Sequence, residues 1–357
     1  MIPGPQSLIA EVTHRCPLHC VYCSNPLEMA SRHTELSTGV WSRVFREAAG
    51  LGVLHLHLTG GEPLARHDLT ALVSAGHSAG LYLNLITSGL GLTPQRIDDL
   101  VSAGLDHLQL SLQDSEAAGA DEIAGTRAHA RKIALAAEIR RHPLAFTLNI
   151  VVHRQNLDRL PSMLALAEEL QVDRLEIANV QYYGWALRNR GQLMPTREQL
   201  ERSIPVVREA QQRLAGRMRI EFVAADYYAR YPKACMGGWG RNVILVNPGG
   251  EALPCHAAKI IPDLGFPNVQ ERPLQWIWEE SPAFNRFRGY EWMQEPCRSC
   301  DRRHLDFGGC RCQALLLAGD ATATDPACSL APGRALVDAA LIHTEGPAQW
   351  VYRIDPV

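Results

Sequence analysis

Three cysteines near the start of the chain stand in Cys16-Pro17-Leu18-His19-Cys20-Val21-Tyr22-Cys23, with gaps of three and two residues. One short loop with that spacing can wrap a single [4Fe-4S] cubane, three thiolates serving three irons and leaving the fourth open. The open iron needs an external ligand, and the amino and carboxylate groups of S-adenosylmethionine (SAM) can chelate it. An electron passed from the cluster into the adjacent sulfonium breaks a carbon–sulfur bond and releases a 5'-deoxyadenosyl radical, a hydrogen-abstracting species that no side chain supplies. The competing readings are a zinc site, with His14 or His19 as fourth ligand, and buried core thiols. Tyr22 just before the last cysteine and an apolar run just before the first favour the cluster.

Thr59-Gly60-Gly61-Glu62-Pro63 follows the next apolar run. Two adjacent glycines let backbone approach a ligand closely, so this turn is a candidate holder of the SAM amino group, although a Gly-Gly pair alone is only a turn. Ser88, in Thr87-Ser88-Gly89, and Ser111, in Ser111-Leu112-Gln113-Asp114, put small polar groups after the two runs that follow, suited to the SAM ribose and carboxylate. Asn149 is a weaker candidate of the same kind, and polar caps are common at strand ends.

Seven cysteines remain: Cys235, Cys255, Cys297, Cys300, Cys310, Cys312 and Cys328. Two four-ligand clusters need eight ligands, so either one more residue is recruited or one cluster keeps an open iron. Asp306, in Asp306-Phe307-Gly308-Gly309-Cys310-Arg311-Cys312, lies in the densest ligand region and is a candidate eighth. Cys297-Arg298-Ser299-Cys300 is also zinc spacing, so one or two zinc-ribbon-like sites are the rival. The Cys-Arg-Cys pair, expected to point its thiols to opposite sides of an extended backbone, favours two adjacent Fe-S clusters.

These residues need a frame. From Leu8 to about Val180 short apolar runs alternate with amphipathic stretches, the pattern of βα units around a parallel sheet. Candidate strands are Leu8 to Thr13, Val53 to Leu58, Leu81 to Ile86, His107 to Leu112, Leu144 to Val152 and Arg174 to Ala178. Helices are expected over Thr38 to Leu51, Asp68 to Ala79, Pro94 to Ala103, Glu122 to Arg141 and Leu157 to Leu170. Six such units predict an α/β fold, an open partial (β/α)6 TIM barrel, with its site at the strand ends where Cys16, Gly60, Ser88 and Ser111 fall. A helix from Thr196 to Leu214 and a strand from Met218 to Val223 lead into a segment rich in Cys, Gly, Pro and Trp. The expected division is 1-225 for the barrel, 226-335 for a cysteine-rich domain and 336-357 for a C-terminal tail with no legible chemistry.

The 357 residues carry a net charge of only -3 and no basic run, which gives no electrostatic reason to expect nucleic acid or a lipid surface. The N-terminus lacks the basic region and long apolar core of a secretory signal, and no stretch approaches a membrane span. A cytoplasmic protein is expected, where thiols stay reduced and serve metals rather than disulfides.

Beyond these motifs, Gln181-Tyr182-Tyr183-Gly184-Trp185-Ala186 and Asp306-Phe307-Gly308-Gly309-Cys310-Arg311-Cys312 are specific segments, joined by Thr13-His14-Arg15-Cys16-Pro17 and Leu253-Pro254-Cys255-His256-Ala257-Ala258. Through them the whole chain resembles the pyrroloquinoline quinone (PQQ) biosynthesis radical SAM enzymes, which cyclise a small precursor peptide. The resemblance implies a partial TIM barrel followed by the twitch-type fold called a SPASM domain. It implies that Cys235, Cys255 and Cys312 with Asp306 hold a first auxiliary cluster, [2Fe-2S] or [4Fe-4S], and that Cys297, Cys300, Cys310 and Cys328 hold a second, [4Fe-4S]. It further implies a reaction joining a glutamate side-chain carbon to the ring of a nearby tyrosine, with a precursor peptide, a peptide chaperone and a reductase as partners. On this basis Gln181 and Tyr182 are candidates to line the peptide channel, against a bland reading as interdomain packing.

Two rivals remain at this level. Another peptide-modifying SPASM enzyme, such as a sulfatase-maturing oxidase or a thioether-forming maturase, differs only in substrate. A non-catalytic zinc or electron-carrier protein differs in class.

Overall fold

The computed structural model describes residues 2–223, 225–341 and 348–356. The first half alternates strand and helix as β1 (Ser7–Thr13), α1 (Thr38–Gly50), β2 (His55–Gly60), α2 (Leu69–Ser78), β3 (Tyr82–Thr87), α3 (Pro94–Ser102) and β4 (His107–Leu112). It continues through α4 (Ala117–Ala124), α5 (His129–Ile139), β5 (Ala145–Val152), α6 (Leu160–Glu169) and β6 (Arg174–Asn179). After the short helices α7 (Gly184–Arg188) and α8 (Arg190–Leu193), α9 (Arg197–Arg213) leads into β7 (Arg219–Val223).

All seven strands pair in parallel and in chain order, so the six expected strands form one sheet and the run expected at 218–223 adds a seventh to the same edge. The sheet also crosses residue 225. The next strand, β8 (Val243–Val246), runs parallel beside β1 on the opposite edge, and β9 (Ala252–Leu253) pairs antiparallel with β8. The cysteine-rich segment is therefore hydrogen-bonded to the barrel through its own backbone. It completes itself with α10 (Leu274–Glu279), α11 (Pro282–Asn285), α12 (Arg303–Asp306), α13 (Arg311–Ala318) and α14 (Arg334–Ala340).

Strand periodicity explains the layers. Leu8, Ala10, Leu56, Leu58, Leu83, Leu85, Leu108, Leu110, Phe146 and Leu148 are buried in the main core, while the residues between them, Ile9, His57, Asn84, Gln109, Thr147 and Asn149, line the lumen. The helices cover the outer face with stripes such as Trp41, Val44, Phe45 and Ala48 of α1, whose Ser37 cap accepts from Val40 N at 3.3 Å.

One expected helix is broken. The run 122–141 divides at Gly125, which is left-handed at φ 62 and ends α4. The carbonyls of Ile123 and Ala124 accept from Val21 N (3.2 Å) and His19 N (2.8 Å), so the cysteine loop satisfies the helix end that a continuous helix would have kept. Periodicity alone does not carry that tertiary competition. Among the described residues no helix is long and apolar enough to cross a membrane.

Candidate active site

Cys16, Cys20 and Cys23 open from the end of β1 into a cavity of about 900 Å³ that runs down the barrel lumen. Burial pushes the thiols of Cys16, Cys20 and Cys23 up, that of Cys20 to about 12, so gathering their thiolates calls for a cation to share. Neighbouring elements hold the loop. Cys23 N donates to Cys20 O at 3.2 Å, and Ala186 N, at the start of α7, donates to Cys23 O at 3.0 Å.

The Gly-Gly turn fits this loop first. Gly61 N donates to Thr13 O at 2.6 Å and Glu62 N to Arg15 O at 2.7 Å. A Cβ on Gly60 would lie 2.1 Å from Thr13 O, and one on Gly61 would lie 2.4 Å from both His14 O and Arg15 O. Both glycines also line the cavity. Glu62 turns inward instead: Thr87 Oγ1 (2.6 Å), Leu64 N (3.0 Å), Ser88 N (2.7 Å) and Ser88 Oγ (2.5 Å) all donate to its carboxylate. It is 1% exposed, and with Pro63 it clamps the ends of β2 and β3 rather than lining the cavity. Burial still raises its pKa despite those donors.

Ser88, Ser111, Asn149 and Tyr22 all line the same cavity. Tyr22 OH accepts from Gln113 Nε2 at 3.0 Å, and Lys132 Nζ donates to Gln113 Oε1 (2.7 Å) and Ser111 O (3.0 Å). This buried lysine, unassigned from the sequence, links α5 to the cysteine loop. Its signal was present: Lys132 stands at helical spacing with Leu135, Ala136 and Ile139, on the buried face of α5.

Gln181 and Tyr183 line the first cavity and also a second of about 280 Å³, whose walls include Cys235, Cys255, Cys310 and Cys312. Tyr182 lines only the second, and its ring packs edge-on against Tyr227 at 5.6 Å. Met236 and His256 also face both cavities, and His256 Nδ1 is 2.6 Å from Glu11 Oε1.

The later cysteines and Asp306 line cavities in groups other than the candidate ligand sets the family resemblance implied. Cys255 Sγ and Cys312 Sγ are 3.9 Å apart. Cys255 and Cys310 are held well below the ordinary thiol range, each by a hydrogen bond from Cys235 and then one from Cys312. Cys310 therefore joins Cys235, Cys255 and Cys312. Asp306 lines a separate small cavity with Cys297, Cys300 and Cys328. The backbone supplies the reason: Phe307, Gly308 and Gly309 are left-handed in succession, at φ 50, 79 and 78, and reverse the chain between Asp306 and Cys310. Nor is Cys-Arg-Cys extended. Cys310 caps α13, accepting from Gln313 N at 3.4 Å, and Cys312 lies in the first turn, which brings both thiols to one group.

All ten cysteines are free thiols. Among the described residues no three His, Cys, Asp or Glu side chains are arranged to hold a single metal ion, and the later cysteines group by the cavities they line. Soft sulfur donors in buried groups suit iron–sulfur centres, each group at a cavity wall.

Residues 10–167 match the family model of the Radical SAM superfamily, and residues 235–301 match SPASM, an iron–sulfur cluster-binding domain. A PqqA peptide cyclase from Methylobacterium sp. (strain 4-46) is 57% identical over 339 residues, covering 95% of this chain and 89% of the relative. One from Ruegeria pomeroyi is 54% identical over 360 residues, covering 99% and 96%. The chain belongs to the PqqA peptide cyclase family.

The cyclase is accordingly a radical SAM enzyme with a SPASM domain, and SAM and iron–sulfur clusters are its cofactors. Its fold is shared with more distant enzymes. Streptococcus suis SuiB bound to its precursor peptide SuiA superposes with a TM-score of 0.75 at 19% identity, covering 92% of the cyclase and 76% of SuiB. Native anSMEcpe with bound AdoMet and the Kp18Cys peptide gives 0.67 at 16%, covering 94% and 96%.

One further part of the cyclase site had no legible signal. Residues of the C-terminal tail return to the cysteine loop, where Arg353 lines the first cavity and is 2% exposed. An arginine in a short C-terminal tail carries no periodicity that marks it as buried.

Proposed function

We propose that the enzyme joins a glutamate side-chain carbon of a precursor peptide to the ring of a nearby tyrosine in the same peptide, an early step of PQQ biosynthesis. The observation that carries this reading is the junction of the two cavities. Gln181, Tyr183, Met236 and His256 face both the lumen that begins at Cys16, Cys20 and Cys23 and the cavity walled by Cys235, Cys255, Cys310 and Cys312. A peptide side chain in the lumen would thus have a radical source on one side and an electron acceptor on the other.

In this reading Cys16, Cys20 and Cys23 hold a [4Fe-4S] cluster with an open iron. Gly60, Gly61, Ser88, Ser111, Asn149 and Tyr22 form the SAM pocket, and Lys132 fixes Gln113 against Tyr22. With SAM bound, this centre would supply hydrogen-abstracting radical chemistry, directed at the glutamate Cγ. Cys235, Cys255, Cys310 and Cys312 hold the first auxiliary cluster, for which four thiolates suit either [2Fe-2S] or [4Fe-4S]. Cys297, Cys300, Cys328 and Asp306 hold a [4Fe-4S] second. Gln181, with Tyr182 behind it, lines the peptide channel.

The proposed division is a barrel over 1-225, a SPASM region over 226-335 and a tail over 336-357, of which 1, 224, 342–347 and 357 lie outside the described residues. The proposed partners are the precursor peptide PqqA, its chaperone PqqD and a reductase, in the cytoplasm. The test is anaerobic incubation with precursor peptide, chaperone, SAM and reductant, followed by mass spectrometry. A cross-linked peptide lighter by two hydrogens is expected, with 5'-deoxyadenosine as co-product. Reconstituted enzyme that releases 5'-deoxyadenosine but leaves the peptide mass unchanged would overturn the substrate, and zinc in place of iron would overturn the reading whole.

A further inference from the structure

The strap Trp350–Asp355 lies across the first cysteine loop and is tied to it at both ends. Asn189 holds one end: its Nδ2 donates to Val351 O and to Val21 O, both at 2.8 Å, and its Oδ1 accepts from Val351 N at 2.9 Å. Trp350 Nε1 adds a bond to Glu122 Oε1 at 2.8 Å. At the other end Arg353 N donates to His19 O at 3.1 Å, and His19 Nδ1 lies 2.8 Å from Arg353 O. Asp355 Oδ1 accepts from Cys16 N at 3.2 Å and from Arg353 Nη1 at 2.7 Å.

Between these ties the Arg353 side chain passes under the loop. Its Nη2 bonds His14 O and contacts Met29 Sδ at 3.3 Å, and its Nη1 reaches Leu18 O at 3.4 Å. Its Nε is buried and has no partner in the protein. A buried, unpaired N–H is costly, the more so on a charged group, unless something accepts from it. The cavity that Arg353 lines is the one into which Cys16, Cys20 and Cys23 open.

We infer that the C-terminal strap is part of the first cluster's housing and that Arg353 is a positioning residue whose buried charge and free Nε–H face the iron–sulfur group held by that loop. The inference rests on the proposed assignment of Cys16, Cys20 and Cys23 as its ligands. A cluster bound by three thiolates is anionic, and one-electron reduction adds a further negative charge. A guanidinium fixed beside it in a buried position stabilises the reduced state more than the oxidised one. Arginine is suited to this because its planar fork can bind the loop carbonyls while the charge stays put.

The experiment uses the full chain with all clusters reconstituted, comparing wild type with R353Q, R353K and D355N. The readouts are iron content, the EPR signals of each cluster and the midpoint potential of the cluster whose signal changes on adding SAM. R353Q is expected to lower that potential. At the wild-type midpoint its reduced-to-oxidised ratio should fall about tenfold, ~59 mV for one electron. R353K, which keeps the charge, should recover most of the shift, and D355N should loosen the loop with a smaller change. Loss of the SAM-responsive signal alone in R353Q, with the auxiliary signals intact, also supports the inference. An unshifted potential in R353Q overturns it, as does loss of all clusters together, which would make the strap a general folding element. Wild-type protein whose clusters ignore SAM would overturn the underlying ligand reading, a result distinct from either.

Discussion

Gly184 and Asn25 approach so closely that a Cβ on residue 184 would lie 2.1 Å from Asn25 O. Gly184 is left-handed at φ 58, and two residues later Ala186 N bonds Cys23 O. The Tyr-Tyr-Gly-Trp-Ala segment is thus a clamp on the first cysteine loop. Gly184→Ala should displace that loop, since it adds a backbone clash to a conformation costing roughly 1–2 kcal/mol for an L side chain. The expected outcome is loss of most of the SAM-responsive EPR signal with the auxiliary signals retained. Unchanged iron at the first site would refute the clamp.

The proposed placement of Asp306 in one auxiliary group and Cys310 in the other separates the two experimentally. Asp306→Ala should perturb the EPR signal of the cluster held by Cys297, Cys300 and Cys328 and leave the other unchanged. Cys310→Ala should do the reverse. If both variants perturb the same signal, the grouping by cavity is wrong.

Lys132→Met removes the donor to Ser111 O and Gln113 Oε1. Leaving those acceptors unpaired should cost about 1–3 kcal/mol in unfolding free energy. SAM affinity, read by equilibrium binding, should weaken about tenfold as Tyr22 and Ser111 lose their fixed positions. Wild-type affinity in this variant would show that the lysine acts on stability alone.

His57 points into the barrel lumen 3.2 Å from Asn84 Nδ2, and burial lowers its pKa from 6.5 to about 4. Because the unfolded chain binds the proton more readily, stability is complete above about pH 6.5 and is lost as pH falls toward 4. Denaturant titration should show wild type losing about 1 kcal/mol more than His57→Gln between pH 7 and pH 5.5. Parallel curves for the two proteins would exclude His57 as the titrating group.

Much of this was legible along the chain. The strands alternate outward leucines with inward polar residues, and that period of two follows from backbone geometry without reference to the fold, so six strands and their order could be read directly. Cysteine spacing named the chemistry of the first loop for the same reason: gaps of three and two residues bring three sulfurs together whatever surrounds them. The seven later cysteines and Asp306 were also legible as one dense candidate set.

Their partition was not. Whether Asp306 or Cys310 faces Cys235 depends on three successive left-handed residues and on Cys310 becoming a helix cap, and adjacency in sequence misleads where the chain reverses. The break at Gly125, the pairing of β8 with β1 and the role of Lys132 in supporting Tyr22 are likewise set by partners distant in sequence.

What the residues determined alone is the reaction class, because three cysteines at gaps of three and two mark the radical SAM loop whatever surrounds them. What only the tertiary structure decided is how that loop is housed. Gly60, Gly61 and Gly184 admit its backbone, and α4 receives two of its amides. Arg353 reaches it from 334 residues away in sequence, as measured from His19. Close approach and burial of charge depend on the whole packed chain, so no local pattern carries them.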